Sequence, residues 1–368
     1  MKIPFFNYPS VYKKYKADFI RILDEVGNRG AFIMQDDLEK FEETIASYSN
    51  CNYAVGVANA TDALEMLIQV SGIGQDDEVI ISTHTMIATA SAISANGAKP
   101  IPVECGANHL IDPKSIEKAI TSKTKCIMPT QLNGRTANMD EICRIADEYG
   151  LKIIEDSAQA LGAKYKGKNA GTFGVGGCIS FYPAKVLGCL GDGGIILCND
   201  KNFYEHLVMM RDHGRDPVSG DVLLWGRNSR LDNLQAAFLN YQFQFYEEVI
   251  QRRRDIAKIY NNRLCEIPNL FLPPKPDEHE DYYDIYQNYE IEADNRDSLK
   301  EFLSQNGIGT LIQWGGKGVH QFKKLGFDTS LPFSEKVIER MLLLPINMTI
   351  TNEDVNYVCD KIQSFYDM

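Results

Sequence analysis

The stretch "TKCIMPTQLNGRTANMDEICRIADEYGLKIIEDS", residues 124–157, decides the fold. It opens on a short apolar run and passes through a polar turn into "NMDEICRIADEYG". Apolar residues recur there at helical spacing, and the stretch closes on a second apolar run, "LKIIEDS". The same alternation extends over about residues 52–200. "YAVGV" leads into "NATDALEMLIQVSG", "DEVIIS" into "TMIATASAISANGA", and "KPIPVE" into "DPKSIEKAI". "GGCISFY" and "GGIILCN" follow a glycine-rich loop. Strands alternating with helices through short turns predict an α/β fold with a mostly parallel sheet and helices on both faces. The charge-rich "DDLEKFEETIASYS" is expected to pack outside that sheet.

A helical pattern with few breakers then runs from Leu231 to about Cys265. Beyond the proline-rich, acidic "NLFLPPKPDEHEDYYD", the segments "YQNYEIEA", "NRDSLKEFLSQNG", "GTLIQW" and "TNEDVNYVCDKIQSFY" predict a small α+β domain. At 368 residues the chain is longer than one core usually serves. The expected division is a large α/β domain over residues 1–245 and a small C-terminal domain over 246–368.

Composition narrows the function classes. Hydrophobic residues make up 44% and charged residues 24%, as in ordinary globular proteins. A net charge of −12 without a long basic run argues against nucleic acid and anionic membrane as partners. The densest basic patch, "RRRD" at 252–255, reads as a solvated helix face. Nine cysteines, an odd count with no C-x-x-C pair, argue against a disulfide framework and for a reducing compartment. The N-terminal segment has no signal-peptide pattern, and "MLLLPI" at 341–346 is too short to cross a bilayer. A cytoplasmic location is expected. No two histidines stand at metal-ligand spacing, so no metal site is expected, and only His320 is kept as a functional candidate.

In open α/β sheets, ligands bind beyond the carboxyl ends of the strands. Three such ends here carry unusual residues. "VGVANATDAL" runs from a strand into a helix opening with Asn59, Ala60 and Thr61. Free N–H groups at such an end suit a phosphate, although an ordinary N-cap has the same appearance. "IIEDSAQALGA" ends a strand with Glu155 and Asp156, so at least one carboxylate faces a partly buried site; a structural ion pair is the alternative. "SFYPAKVLGCLGDGG", residues 180–194, places Ser180 and Lys185 just past an apolar run, where an ammonium is costly to bury. Together they suit a phosphorylated, cationic heterocycle bearing an aldehyde, pyridoxal phosphate (PLP). The phosphate would take the helix end, Asp156 the ring nitrogen, and Lys185 the aldehyde as a Schiff base.

At these residues the chain resembles the DegT/DnrJ/EryC1/StrS sugar aminotransferases, which have the three-layer, fold-type I PLP-transferase architecture. The resemblance extends from "FEETIASYSNCNYAVGVANATDAL" to "GRNSRLDNLQAAFL". It implies Lys185 and Asp156 as the catalytic pair, with Gln159 near the phenolic oxygen of the cofactor. It implies Ser180 and the backbone of Ala60 and Thr61 at the phosphate, with Asn228 reaching over from a second subunit of an obligate homodimer. Arg230, from the same crossing loop, is implied as a substrate contact.

"LGCLGDGG" and "NSRLDNLQAAFL" look like members that aminate C3 of a 3-keto nucleotide sugar. Those members make amino sugars for bacterial surface glycans such as lipopolysaccharide, or for glycosides, with glutamate as donor. The chain departs from the family pattern around the expected substrate. Thr85–Met86 stands where an aromatic usually stacks on the ring, leaving Met86 or His84 to replace it. "TQLNGR" places Gln131, Asn133 and Arg135 at the mouth of the site. "IQWGGKGVH" brings Trp314, Lys317 and His320. Arg135 and Lys317 suit a diphosphate or a free carboxylate equally. A keto sugar without nucleotide, such as a sugar acid or cyclitol, is therefore the second reading. A sugar dehydratase of the family is disfavoured because those enzymes carry histidine in place of the lysine. A non-catalytic sensing protein on this fold would not need Lys185.

Overall fold

The computed structural model describes residues 2–367. After two helices, α1 (Tyr8–Arg29) and α2 (Asp36–Ser49), the chain enters the predicted alternation. Strand β1 (Tyr53–Val57) is followed by α3 (Ala60–Val70), β2 (Glu78–Ser82) by α4 (Ile87–Ala95), and β3 (Lys99–Val103) by α5 (Pro113–Ala119). β4 (Thr124–Met128), α6 (Met139–Tyr149) and β5 (Lys152–Asp156) form the unit quoted above. A short hairpin, β6 (Lys164–Tyr165) and β7 (Lys168–Asn169), precedes β8 (Gly176–Ser180) and β9 (Gly194–Cys198).

The seven long strands form one sheet in the order β1-β9-β8-β5-β4-β2-β3. β3, β2, β4, β5 and β8 run parallel, and β9 runs antiparallel to both β8 and β1. Every residue of β8 and β9 is buried, as a sheet covered on both faces requires. On one face Leu64 and Leu67 of α3 pack with Ile93 of α4 and Leu207 of α7 (Lys201–Arg211). Elsewhere Phe41 and Ile45 of α2 pack with Leu239 of α8 (Asn233–Phe243). The expectation that "DDLEKFEETIASYS" lies outside the sheet agrees with α2, residue for residue.

The single helix expected over 231–265 is two helices, α8 and α9 (Tyr246–Leu264), broken at Gln244 and Phe245. No glycine or proline marks the break, which coincides with packing. The Tyr246 hydroxyl donates to the Leu161 carbonyl at 2.7 Å, and Tyr246 and Ile250 lie in the core of the large sheet. Ile256, Tyr260 and Leu264 of the same helix lie in a second core. That core holds a three-stranded antiparallel sheet of β10 (Leu270–Phe271), β12 (Tyr289–Ala293) and β13 (Met341–Leu344). β11 (Tyr282–Tyr283) instead joins the β6–β7 hairpin. Helix α10 (Arg296–Gln305) packs on β12 and β13, α12 (Asn352–Tyr366) packs on α9 and α10 in the same core, and α11 (Pro332–Arg340) leads into β13. We place the seam between the two domains inside α9, between Ile250 and Ile256. Ile3 is an exception to the 1–245 division, because it is buried in the second core and bridges to Ile308.

The basic run 252–255 corrects its sequence reading. Arg253 and Arg254 are buried at the seam, 7% and 4% exposed. Arg253 donates to the Tyr286 and Gln287 carbonyls and Arg254 to that of Asp284. All nine cysteines are free, and no described helix is long and apolar enough to cross a membrane.

A second tie across the seam is ionic. Glu290 of β12 contacts His109 Nδ1 at 2.5 Å and His84 Nε2 at 3.1 Å, while Glu292 contacts His109 Nε2 at 3.1 Å. Burial disfavours the His109 imidazolium, but its hydrogen bonds to the Glu290 and Glu292 carboxylates hold its pKa up, from 6.5 to about 9.

Two outcomes follow from the seam. Tyr246→Phe leaves the buried Leu161 carbonyl unpaired, so urea unfolding should show a loss of about 1–2 kcal/mol with no change in slope. The raised His109 pKa means that its stabilisation is complete below pH 6.5 and is lost as pH rises through about 9. At about 1.4 kcal/mol per pH unit, that amounts to roughly 3 kcal/mol at most. Melting temperature should therefore fall between pH 7 and 10 in the wild type, and fall much less in His109→Gln.

Candidate active site

A cavity of about 750 Å³ opens beyond the carboxyl ends of β1, β2, β4, β5 and β8. Asp156 ends β5 and pairs in register with Cys178 of β8, so both lie at one edge of the sheet. β8 then ends at Ser180 and passes into the loop that carries Lys185. Asn59, Ala60 and Thr61 line one wall, Asp156 and Gln159 another, and Met86, Ser180 and Lys185 complete the surround.

At the α3 end of the cavity, the Asn59 side chain caps the helix by accepting from Asp62 N–H at 2.8 Å. The cap reading of "NAT" holds, and because the cap uses the Asp62 donor it leaves the Ala60 and Thr61 N–H groups free, as a phosphate would require. Gly194 keeps this corner open, since a Cβ there would lie 2.6 Å from the Asn59 carbonyl carbon. Ser180 Oγ accepts from Tyr182 N–H at 3.2 Å, which leaves its hydroxyl proton available.

Adjacent strand residues face opposite sides, and that parity separates the two carboxylates of β5. Glu155 turns away from the cavity and is fully buried. It accepts from Gln131 Nε2 at 2.6 Å, Phe173 N at 2.6 Å and Gly171 N at 2.9 Å. Burial raises its pKa, and those donors oppose the rise. Asp156, 5% exposed, accepts from Thr89 Oγ1 at 2.6 Å, Ala158 N at 3.2 Å and Cys178 Sγ at 3.7 Å. All three donors are neutral, and among the described residues Asp156 forms no ion pair. Such a carboxylate suits a cationic N–H arriving with a ligand. Desolvation lowers the Lys185 pKa, with Asp156 and then Cys178 opposing, so the neutral amine is favoured. The Gln159 amide oxygen accepts from Asn133 N–H at 2.8 Å, leaving its NH₂ as the free end. This donor set fits PLP: two free N–H groups and a hydroxyl for the phosphate, a buried carboxylate for the ring nitrogen, and one amine for the aldehyde.

Of the substrate contacts expected from the same subunit, four lie elsewhere. Gln131 is fully buried, tied to Glu155 and to Ala137 N–H. Arg135 pairs with Asp284 at 3.2 Å and lines a separate cavity of about 210 Å³ with Arg254 and His279. Lys317 is exposed and does not line the cavity. His320 is buried between Thr83 Oγ1 at 2.6 Å and Glu335 Oε1 at 3.0 Å. Trp314 does line the cavity. Of the two candidates to cover the ring, Met86 lines the cavity and is 51% exposed, whereas His84 is buried against Glu290. Asn228 is exposed and outside the cavity, and Arg230 pairs with Asp212 at 2.8 Å.

Several participants were not found in the sequence. Thr89 holds Asp156, and Gln287, Asn288 and Gln313 of the C-terminal part line the cavity. Only Thr89, in the first turn of the helix that follows a strand-end loop, had a local signal, as a hydroxyl opening a helix at the sheet edge. The histidines also meet where sequence spacing shows nothing: His84, His109 and Glu290 bring ligand atoms within 4.8 Å of one another. The 2.5 Å contact between His109 and Glu290 is a direct hydrogen bond, too close for two ligands of one cation.

Comparison with known proteins agrees with this geometry. The chain is 38% identical over 371 residues to a "pleiotropic regulatory protein" of Geobacillus stearothermophilus, covering 100% of this chain and 99% of the relative. It is 37% identical to a dTDP-3-amino-3,6-dideoxy-alpha-D-galactopyranose transaminase of Aneurinibacillus thermoaerophilus, covering 99% of each. The crystal structure of S. venezuelae DesV in complex with a ketimine intermediate superposes with a TM-score of 0.95 at 34% identity, covering 100% and 99%. The profile of the DegT/DnrJ/EryC1/StrS aminotransferase family matches residues 13–363, and the chain belongs to that family.

Proposed function

We propose that this aminotransferase moves an amino group from glutamate to a nucleotide-linked 3-keto hexose, with PLP as cofactor. The product is an amino sugar for a surface glycan or a glycoside. The observation that carries the reading is one cavity holding a helix end with two free N–H groups, a buried carboxylate with neutral donors only, and an amine of lowered pKa. Bound there, PLP supplies an electron sink for proton transfer at the amino-bearing carbon.

The chain's own residues do the rest. Ala60, Thr61 and Ser180 hold the phosphate, and Asp156 keeps the ring nitrogen protonated. Gln159 donates to the phenolic oxygen, and Met86 covers a ring face. Lys185, whose pKa burial lowers, moves the proton at the donor's α-carbon.

The dTDP-3-amino sugar relative and the motifs "LGCLGDGG" and "NSRLDNLQAAFL" support C3 as the carbon aminated. Arg135 and Lys317 lie outside the cavity and so do not distinguish a diphosphate from a free carboxylate; the dTDP-sugar relative favours the nucleotide-linked substrate. A sensing role, which the name of the Geobacillus relative also suggests, would not need Lys185 in the cavity beside Asp156.

The working unit in this reading is a homodimer. Among the described residues, Lys185 is the one Lys or Arg lining the cavity, alongside Asp62, Asp156 and Asp192, so cations for an anionic substrate must come from elsewhere. The segment between Asp212 and Asn228 carries Val218 and Trp225 at 94% and 93% exposure, an apolar surface that a second copy would cover. The Asn228 side chain beyond it would then complete the partner's phosphate site.

Glutamate with a dTDP- or UDP-linked 3-keto hexose should give the 3-amino sugar by NMR, and Lys185→Ala should lower the rate by about 10³-fold or more. Preferred turnover of a 4-keto or nucleotide-free sugar would overturn the substrate assignment. Mixing inactive Lys185→Ala and Asn228→Ala subunits tests the shared site. Refolded together, they should regain about a quarter of wild-type activity through hybrid dimers. No recovery from hybrids that demonstrably form would overturn it.

A further inference from the structure

Lys185 is held by no helix or strand. It sits in the loop between β8 and β9, whose internal main-chain bonds include Lys185 N to Tyr182 O at 2.8 Å and Cys189 N to Phe181 O at 2.7 Å. A loop of this kind leaves φ and ψ of its central residue soft, and those two angles set where the Cα–Cβ bond points. A reacting amine needs its direction fixed to within a fraction of an ångström.

The side chain of Gln287 meets this loop at both peptides that flank Lys185. Its Nε2 donates to the Ala184 carbonyl at 2.9 Å, and its Oε1 accepts from Val186 N–H at 2.9 Å. A primary amide offers a donor and an acceptor side by side, which matches the carbonyl before a residue and the N–H after it. We propose that Gln287 is a positioning residue for the amino-transfer reaction: its amide clamps both peptide planes around Lys185 and so aims the amine. This rests on the reading of Lys185 as the reacting amine.

The clamp is itself anchored. Gln287 is 5% exposed, and its carbonyl and that of Tyr286 accept from Arg253 Nη1 at 3.0 and 3.1 Å. Arg253 is a buried guanidinium without a carboxylate partner among the described residues, and its Nε makes no hydrogen bond. Burial pushes its pKa from 12.5 to about 10. A buried, unpaired cation is a poor way to stabilise a fold, since an apolar side chain of similar volume does as well or better. Its two carbonyl bonds have a use if they fix the backbone from which Gln287 reaches. The next residue is tied down too, with Asn288 Nδ2 donating to Asn133 Oδ1 at 2.9 Å. Asn133 N–H in turn holds Gln159. The stretch 286–288, from the small domain, thereby sets two walls of the cavity.

The test exploits the chemistry of the amide. Gln287→Glu preserves shape and the acceptor for Val186 N–H, but an ionised carboxylate opposes the Ala184 carbonyl oxygen. Protonation restores a donor, so the variant carries its own rescue. Reaction with glutamate should fall about tenfold to a hundredfold at pH 8, in kcat more than in KM, and recover towards wild type as pH is lowered. Gln287→Leu should lose as much at every pH. In the cofactor-free protein, competitive acetylation of Lys185 followed by mass spectrometry should show its apparent pKa returning towards that of an ordinary lysine in both variants at alkaline pH.

Wild-type turnover and labelling in a folded Gln287→Leu protein, or a Glu variant whose loss does not diminish with pH, would overturn the proposal. If Leu does not fold, the Glu variant at two pH values carries the same test. Labelling of the cofactor-free protein reads the clamp even if Lys185 should not be the residue that reacts.

Discussion

An amine kept out of water beside one buried carboxylate is the constraint on which the site depends. Lys185 is pushed towards its neutral form by desolvation, and Asp156 pulls the other way. The balance requires the two to share one cavity without a direct ion pair. Parallel strands make this possible, because β5 and β8 end at the same edge of the sheet and deliver Asp156 and the Lys185 loop to it. The same edge receives the N-terminus of α3, so the anion site, the carboxylate and the amine converge from three strand ends.

The cavity is closed by the other domain. Gln287 and Asn288 precede β12, and Glu290 within it reaches the His84–His109 pair behind the loop that carries Met86. One short segment therefore touches the Lys185 loop, the Asn133 loop and the Met86 loop. The position of the small domain is consequently a chemical matter as well as a structural one. Ties such as Tyr246 to Leu161 and Arg253 to the 286–287 carbonyls hold that position.

What could be read from the sequence was local. The strand-to-helix alternation, the capped end at Asn59 and the lone amine at Lys185 each have a signature within a dozen residues. The parity that turns Asp156 into the cavity and Glu155 away from it depends on which face of the sheet is covered by what. The family resemblance puts Gln131 and His320 at the substrate, because they stand where the chain departs from the family pattern. Their actual partners, Glu155 for one and Thr83 and Glu335 for the other, come from separate elements. Arg253 and Arg254 carried a hydrophilic signal inside a helical stretch, but the packing of α9 between two cores buries them. Gln287 had no signal, since its role arises from contacts about a hundred residues away in the chain.

The measurement that bears most directly on the account is reductive trapping. Purified protein is loaded with PLP, reduced with borohydride, digested, and mapped by mass spectrometry. The account predicts a yellow protein before reduction and a single pyridoxyl adduct on the peptide that contains Lys185. An adduct on another lysine, or a protein that takes up no PLP, would contradict it.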